Sequence, residues 1–426
     1  MTDRRLVVLL GGVVAGEVTR NRDGKLAFAY DPEWLRSDVA MPVSLSLPLE
    51  VAEHPSPKIE AFIWGLLPDS ELVLGKWAKM FHVSARNPFG LIANVGEDCA
   101  GAVQFVRRQR LDHPGFDVPQ IEWLTEHDVA ERLRVLRHDA TAMRLPRDAG
   151  QFSLAGAQAK TALLLRGRRW GVPAGRIPTT HILKPPSDEF DGHAENEHFC
   201  LVLARTLNLP AAYSEVRRFE GEVAIVVERY DRLSTSRGVT RIHQEDMCQA
   251  LGVMPTFKYQ NEGGPTPADI VGLLRRHSRD PQGDVDTFVQ ALAFNWLIGG
   301  TDAHAKNYSL LHAQGGRVRL APLYDVASAL PYDHLDERRL KLAMKVGREY
   351  FLTRIGPRQW MRTEQELGLP EMSLLRKVLR LGRHMLTAIP DVANRLRNDG
   401  LRHPIVGRLE TVLMRRAEHC LRELDA

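Results

Sequence analysis

The chain has 426 residues, 44% hydrophobic and 26% charged, with a formal net charge of +4 when histidine is neutral. At roughly 150 residues per domain this length predicts two or three cooperating lobes, and the apolar content excludes a largely disordered chain. No stretch reaches the ~18 apolar residues that span a bilayer, the start "MTDRRLVVLLGGVVAGEV" is too short in apolar run and too glycine-rich for a signal peptide, and Cys99, Cys200, Cys248 and Cys420 form no CxxC pair, which predicts a cytoplasmic protein with reduced, buried thiols and no membrane partner.

From Leu6 to Tyr30, apolar runs alternate with Gly and with Asn-Arg-Asp-Gly turn chemistry, the pattern of a small antiparallel meander. "MPVSLSLPLE" at 41 to 50 reads as strand-like or extended. "IEAFIWGLLPDSELVLGKWAKMF" has helical periodicity broken at Pro68, and "ANVGEDCAGAVQFV" returns to strand and turn. Residues 1–108 are therefore predicted to form one α/β subdomain, followed by a polar linker containing Pro114 and Pro119.

Between Gly150 and Arg232 strands dominate: "TALLLRGRRWGVP" reads as a hairpin, "THILKPP" and "VAIVVERY" as strands. One helix, "ENEHFCLVLARTLNLP", lies among them and is ended by Asn208 and Pro210. Residues 109–235 are predicted as the second domain. From about 243 a 3.6-residue apolar repeat runs through "HQEDMCQALGV", "PADIVGLLRRHS", "VDTFVQALAFNWLIGG", "LRKVLRLGRHMLTAIPDVANRLR" and the last twenty residues, so 236–426 is predicted as a helical lobe. Basic runs, "RLRVLR" from 132 and "VLMRRAEHCLRE" from 412, read as solvated helix faces rather than base-reading surfaces.

The chemistry concentrates in "GGTDAHAKNYSLLH" at 299 to 312, which begins where the helix "FVQALAFNWLIG" ends. Next, "YSLLH" and "RVRLAPLYD" are short strands joined by "AQGG", a hairpin signal that returns Asp325 towards Asp302 and Asn307. Two carboxylates and an amide oxygen are hard ligands suited to Mg²⁺. Asp302 and Asn307 also stand at the D-x-x-x-x-N spacing that protein kinases use for the catalytic Asp and a metal-binding Asn, with a second metal-binding Asp after a short hairpin.

Phosphoryl transfer needs a carboxylate for the acceptor hydroxyl, a divalent ion, and oxygens to hold it. Upstream, "HILK" ends a strand with Lys184, where a point charge can reach nucleotide phosphates, and Glu195 or Glu197 on the next helix could pair with it. "VVERYD" ends a strand where a hinge between lobes would fall, its backbone available to an adenine edge. "GQFSLAGAQAKTALLL" is a turn of small residues whose N–H groups could approach phosphate, although it lacks both familiar glycine-rich phosphate patterns.

The motifs "SLAGAQAKTALLL", "THILKPP", "NEHFCLVLARTLNL", "VVERYDR", "HQEDMCQALG", "KYQNEGGP", "WLIGGTDAHAKNYSLL" and "LAPLYDVASALP" run in order from 153 to 331. In these the chain resembles the HipA family of serine/threonine kinase toxins, and "MPVSLSLPL", "GLLPDS" and "GEDCAGAVQF" look like that family's N-terminal subdomain. The resemblance implies an α+β, bilobal protein-kinase-like fold with a strand-rich N-terminal lobe and an all-helical C-terminal lobe.

It also implies ATP and Mg²⁺ as cofactors. Asp302 would be the catalytic base, with Asn307 and Asp325 as metal ligands. Lys184 would contact phosphates, Glu228 and Tyr230 would lie at the adenine hinge, and Leu154, Ala155, Gly156, Ala157 and Gln158 would cover the phosphates, with His304 counted in the cofactor-binding set. Ser153 matches the serine that family members autophosphorylate to switch themselves off. The family's substrate class is aminoacyl-tRNA synthetases, chiefly glutamyl-tRNA synthetase. Its partner is a HipB-like helix-turn-helix antitoxin, through which operator DNA is met indirectly. Tyr230, Ala303 and Ala159 depart from the common Phe, Gly and Glu or Pro; none removes a catalytic group.

Two other readings compete. One is a metal-dependent phosphohydrolase built on Asp302, His304 and Asp325; the other is a non-catalytic co-repressor with a degenerate kinase fold.

Overall fold

In the computed structural model, which describes residues 4–113, 116, 118, 120–143, 152–186, 189–236, 238–313 and 316–425, the chain divides into two units. Pro114, Pro119, Gly150 and the Gln314-Gly315 centre of the hairpin turn lie outside the described residues.

The first unit comprises residues 1–185, 218–256 and 310–318. Leu26–Tyr30 alternates buried and half-buried residues with a period of two, whereas Arg5–Leu10 is apolar on both faces, Leu6, Val8 and Leu10 entering one core and Val7 and Leu9 another. With Val13–Arg20 between them, these strands form the expected meander, extended by Glu53–Pro55 on one edge and Val103–Val106 on the other. The helices Lys58–Leu66, Glu71–Phe81 and Pro88–Val95 follow, with Pro68 separating the first two. Phe28, Phe62, Trp77 and Phe105 fill the resulting core.

A six-stranded sheet in the order Ser214–Phe219, Glu222–Glu228, His181–Lys184, Thr161–Arg166, Arg169–Ala174, Gln120–Leu124 forms the second layer of this unit. His181–Lys184 is central, flanked by Glu222–Glu228 and Thr161–Arg166. The helix Glu126–His138 packs Val129, Ala130 and Leu133 into its core.

Two local expectations are corrected. "HQED" is not helical: His243–Asp246 is a strand, and Asp246 caps the short helix Met247–Leu251 through a reciprocal box with Gln249. "MPVSLSLPLE" is a turn, not a strand, because its hydroxyls bond elsewhere. Ser44 Oγ donates to Glu245 Oε2 (2.5 Å) and Ser46 Oγ to the Gln249 carbonyl (2.8 Å).

The second unit comprises residues 186–217, 257–309 and 319–426. It is built on the helices His193–Thr206, Pro267–His277, Pro281–Ile298, Pro357–Glu366, Ser373–Asn398 and Ile405–Asp425. Pro281–Ile298 is apolar nearly all round and buried, as a central helix must be. A two-stranded ribbon, Lys341–Val346 with Glu349–Phe351, interrupts the helices. No helix among the described residues is long and apolar enough to cross a membrane. All four cysteines are free and buried, and burial pushes the Cys99 and Cys200 thiols up to about 12, which removes them as nucleophiles.

Candidate active site

In the second unit, the helix Pro281–Ile298 ends on Gly299, whose φ of +65° continues the chain in a left-handed cap. A Cβ at Gly299 would also stand 2.6 Å from Leu330 Cγ, so both conformation and space require glycine. The next residues turn sharply. The carbonyl of Asp302 accepts from the backbone N–H of His304 (2.8 Å) and from Nδ2 of Asn307 (2.7 Å). The Asn307 amide nitrogen is thereby committed to the loop, which leaves its carbonyl oxygen as the ligand end.

The Asp302 carboxylate is 68% exposed, and Tyr259 donates its hydroxyl to Oδ1 at 2.6 Å. His304 is buried with Nε2 3.9 Å from that same oxygen, and its ring meets the Tyr259 ring edge to face at 4.9 Å. Ala305 N–H donates to the Lys258 carbonyl (3.2 Å), so the segment 258–259 holds the loop by both backbone and side chain.

The residues that precede Asp325 are held beside those that follow the Asp302 turn. Ala321 N–H donates to the Ser309 carbonyl (2.8 Å), and the Tyr324 hydroxyl donates to the Lys306 carbonyl (2.6 Å), so 321–324 runs beside 306–309. Buried Asp284 fixes the end of the hairpin by accepting from Arg319 Nε (3.1 Å) and Leu320 N–H (3.0 Å). Beyond Asp325, Asn196 clamps Ser328 by accepting from its N–H (3.0 Å) and donating to its carbonyl (2.8 Å). Asp325 has φ of +52°, a conformation costly for a residue with a Cβ and held here by these flanking bonds.

By chemistry the donor set suits a hard divalent ion: the amide oxygen of Asn307 and the carboxylate of Asp325 on adjoining segments. Among the described residues no group of three His, Cys, Asp or Glu side chains is gathered as a metal cage.

In the first unit, buried Lys184 ends its central strand opposite Ile225, and Glu228 lies opposite His181 on the same neighbour. Three residues of register put Lys184 and Glu228 on opposite sheet faces. Glu228 is exposed, and the Tyr230 hydroxyl donates to Gln244 Oε1. Glu195 and Glu197 are buried on the helix His193–Thr206 of the other unit.

The segment 152–158 is tied to the N-terminal motifs. Ser153 is fully buried; its N–H donates to the Asp98 carbonyl (3.0 Å) and its hydroxyl to the Leu66 carbonyl (2.7 Å). Gly156, at φ +98°, pairs with Pro68 and accepts from Asp69 N–H (3.2 Å). Lys160 Nζ donates to the Ala155 carbonyl (2.8 Å) and occupies the space a Cβ on Gly156 would need.

Sequence reasoning missed what holds these parts. The Asp98 side chain accepts from Thr179 N–H (3.0 Å) and Oγ1 (2.7 Å), from Arg232 Nη2 (2.9 Å) and from Arg241 Nη2 (3.0 Å), with Arg229 Nη1 at 3.4 Å. Burial alone would raise the Asp98 carboxyl, but Arg232, Arg241 and Arg229 outweigh it and hold it well below the usual carboxylate range. Asp231 completes the cluster with Arg229 (2.9 Å) and Arg232 (2.7 Å). The available signal was the pairing of "GEDCAG" with "ERYDR", four acidic and two basic residues in two short stretches. Tyr259 and Asn196 had no such signal, because a hydroxyl and an amide next to more obvious charges look like ordinary surface polarity.

These observations define the class first: an α+β protein of kinase-like fold. The chain belongs to the HipA family. The model of the HipA-like C-terminal domain matches residues 152–393, and that of the HipA N-terminal domain matches residues 6–106. The chain is 39% identical over 386 residues to the candidate kinase Y4mE of Sinorhizobium fredii (strain NBRC 101917 / NGR234), covering 89% of this chain and 90% of that protein. It is 29% identical to the serine/threonine-protein kinase toxin HipA of Shewanella oneidensis, over 90% and 88% of the two chains. The solved complex of Shewanella oneidensis MR-1 HipA with HipB and operator DNA superposes with a TM-score of 0.84 at 27% identity, over 99% and 98% of the chains. The protein is thus a HipA-family protein kinase.

Proposed function

We propose that this chain is an ATP- and Mg²⁺-dependent serine/threonine kinase that serves as the toxin of a toxin–antitoxin pair in the cytoplasm. Its substrate is an aminoacyl-tRNA synthetase, with glutamyl-tRNA synthetase favoured, and phosphorylation there arrests translation and growth. Asp302 receives the acceptor hydroxyl proton, Asn307 and Asp325 hold the metal, and Lys184 contacts the phosphates. Leu154, Ala155, Gly156, Ala157 and Gln158 cover them, Glu228 and Tyr230 line the adenine hinge, and His304 supports the loop from behind Asp302. The observation that supports this reading is the Asn307 amide bound to the Asp302 carbonyl, with 321–324 running beside 306–309, as a turn offering an acceptor carboxylate and metal oxygens would require.

Autophosphorylation at Ser153 is the off-switch, and its burial under Leu66 and Asp98 supports the idea that the modified loop cannot return. The structural relative bound to HipB and operator DNA supports a small helix-turn-helix antitoxin as partner, with DNA met through it.

The deciding experiment incubates the purified chain with γ-labelled ATP, Mg²⁺ and glutamyl-tRNA synthetase. Label is expected in the synthetase and at Ser153, and in neither with Asp302→Gln. Release of free phosphate alone would establish a hydrolase instead, and an Asp302→Gln chain as toxic as the parent would defeat the kinase reading.

A further inference from the structure

The basic run at 412–423 has no part in the site above. On the helix Ile405–Asp425, Val412, Arg415, His419 and Arg422 recur at steps of three, four and three, so they share one face. That face lines a cavity of about 310 Å³ within the second unit, whose far side carries Leu330, Glu337 and Arg338. Arg415 and Arg422 are exposed and have no ion-pair partner among the described residues. Arg338 is paired with Asp336 (3.2 Å).

Arg416 lies deeper. It is buried, its Nη1 reaches Glu337 Oε1 at 3.3 Å, its Nη2 donates to the Leu352 carbonyl (3.2 Å), and its guanidinium sits 5.3 Å from the centre of the Trp296 ring. Its Nε is buried with no hydrogen-bond partner among the described residues. Four guanidiniums and an imidazole therefore converge on one concavity that contains a single carboxylate, Glu337, already engaged by Arg416.

Like charges gathered in a recess raise its potential and draw counter-ions in, and the planar guanidinium fork matches phosphate oxygens. The volume lies at the small end of ligand pockets, enough for a diphosphate group with a modest adjoining moiety. A nucleic-acid backbone asks for cations strung along an extended surface, whereas these line a single cavity. We propose that this cavity is a binding site for a small polyphosphate anion, with Arg415 and Arg422 as its principal charge partners and Arg416 as its fixed floor.

The test is calorimetric titration of the full-length chain with sodium pyrophosphate in the absence of divalent ions. One saturable site is expected. Because both arginines are exposed, Arg415→Glu/Arg422→Glu should fold normally and weaken binding by more than about tenfold, the scale of one lost charge-assisted pair. Lys184→Gln, which removes the cation proposed to meet nucleotide phosphates, should bind pyrophosphate as the parent does, which separates this cavity from the kinase centre. Absence of saturation up to about 10 mM, equal affinity in the double variant, or loss of binding in Lys184→Gln would each overturn the proposal. So would a short DNA duplex that binds through the same two arginines while pyrophosphate does not.

Discussion

The hydroxyl of Tyr259 donates a 2.6 Å hydrogen bond to Oδ1 of Asp302, and the neighbouring Lys258 carbonyl holds the N–H of Ala305. The proposed catalytic carboxylate is thus aimed from outside its own loop. A hydrogen bond to a charged group is worth about 1.5–3 kcal/mol when well formed, and less at an exposed position. Tyr259→Phe should leave the fold intact and lower kcat for phosphoryl transfer by about fivefold to tenfold, the equivalent of about 1 kcal/mol. KM for ATP should change little, since the lost bond acts on the acceptor side. Steady-state kinetics on a protein substrate check this; an unchanged kcat would show that Asp302 needs no such support.

Asp98 is a different kind of anchor, since its side chain collects three arginines and Thr179 while its carbonyl holds Ser153. Asp98→Asn keeps the shape but leaves three guanidiniums short of a counter-charge in a buried place. Breaking one side of such a cluster costs about 3–5 kcal/mol, so the urea midpoint should fall markedly and proteases should cut near residue 153. The depressed carboxyl sets the pH window. Stability from Asp98 is complete above its unfolded value of about 3.9 and is lost only as pH falls through the lower folded value, so this cluster does not drive unfolding in mild acid.

Mild acid should instead act on histidine. His243 is buried with Nε2 2.9 Å from the Val43 carbonyl and Nδ1 accepting from Ala102 N–H (3.4 Å), the bonding of a neutral ring. Burial first, and neighbouring His312 second, push it down to about 3, against about 6.5 in an unfolded chain. The unfolded chain therefore takes up the proton first. Stability is complete above about pH 6.5 and is lost as pH falls towards 3, by on the order of 4 kcal/mol at the limit. His198, pushed down to about 4 by burial, adds a smaller slope of the same sign. Urea midpoints from pH 7 to 4 should decline in the parent and decline less in His243→Gln; identical slopes would remove His243 as the cause.

Local pattern was sufficient for the helix ending at Gly299 and for the paired strands Ser309–Ala313 and Arg317–Leu320 that follow the D-x-x-x-x-N turn. It failed for "HQED", whose apolar spacing suits a helix but whose Asp246 starts one instead, and for "MPVSLSLPLE", whose serines bond to Glu245 and Gln249 some two hundred residues away. No local rule reaches such a partner. The cluster around Asp98 shows the same limit, because its five charged members are spread from 98 to 241 and only folding assembles them. The kinase reading of Lys184 and of the 153–158 segment owed more to motif order than to any physical signal in those residues.

Ser153 poses the sharpest test of the proposed switch, because where it stands it cannot be phosphorylated: it is 0% exposed and its hydroxyl points at the Leu66 carbonyl oxygen. The loop must first leave Asp98, Leu66 and Pro68, and once a phosphate is attached it cannot return, since acceptor oxygens would face an acceptor in a dry site. Ser153→Ala loses one buried bond, about 1 kcal/mol, and should keep the loop in place, bind ATP nearly as the parent does and remain toxic. Ser153→Asp brings a carboxylate against the same carbonyl and should behave as the modified form, with the 152–160 segment open to protease and ATP affinity reduced by more than about tenfold. Titration with ATP and limited proteolysis of both variants check this together. If Ser153→Asp binds ATP as tightly as Ser153→Ala and resists cleavage equally, the buried loop is not the element that a phosphate displaces.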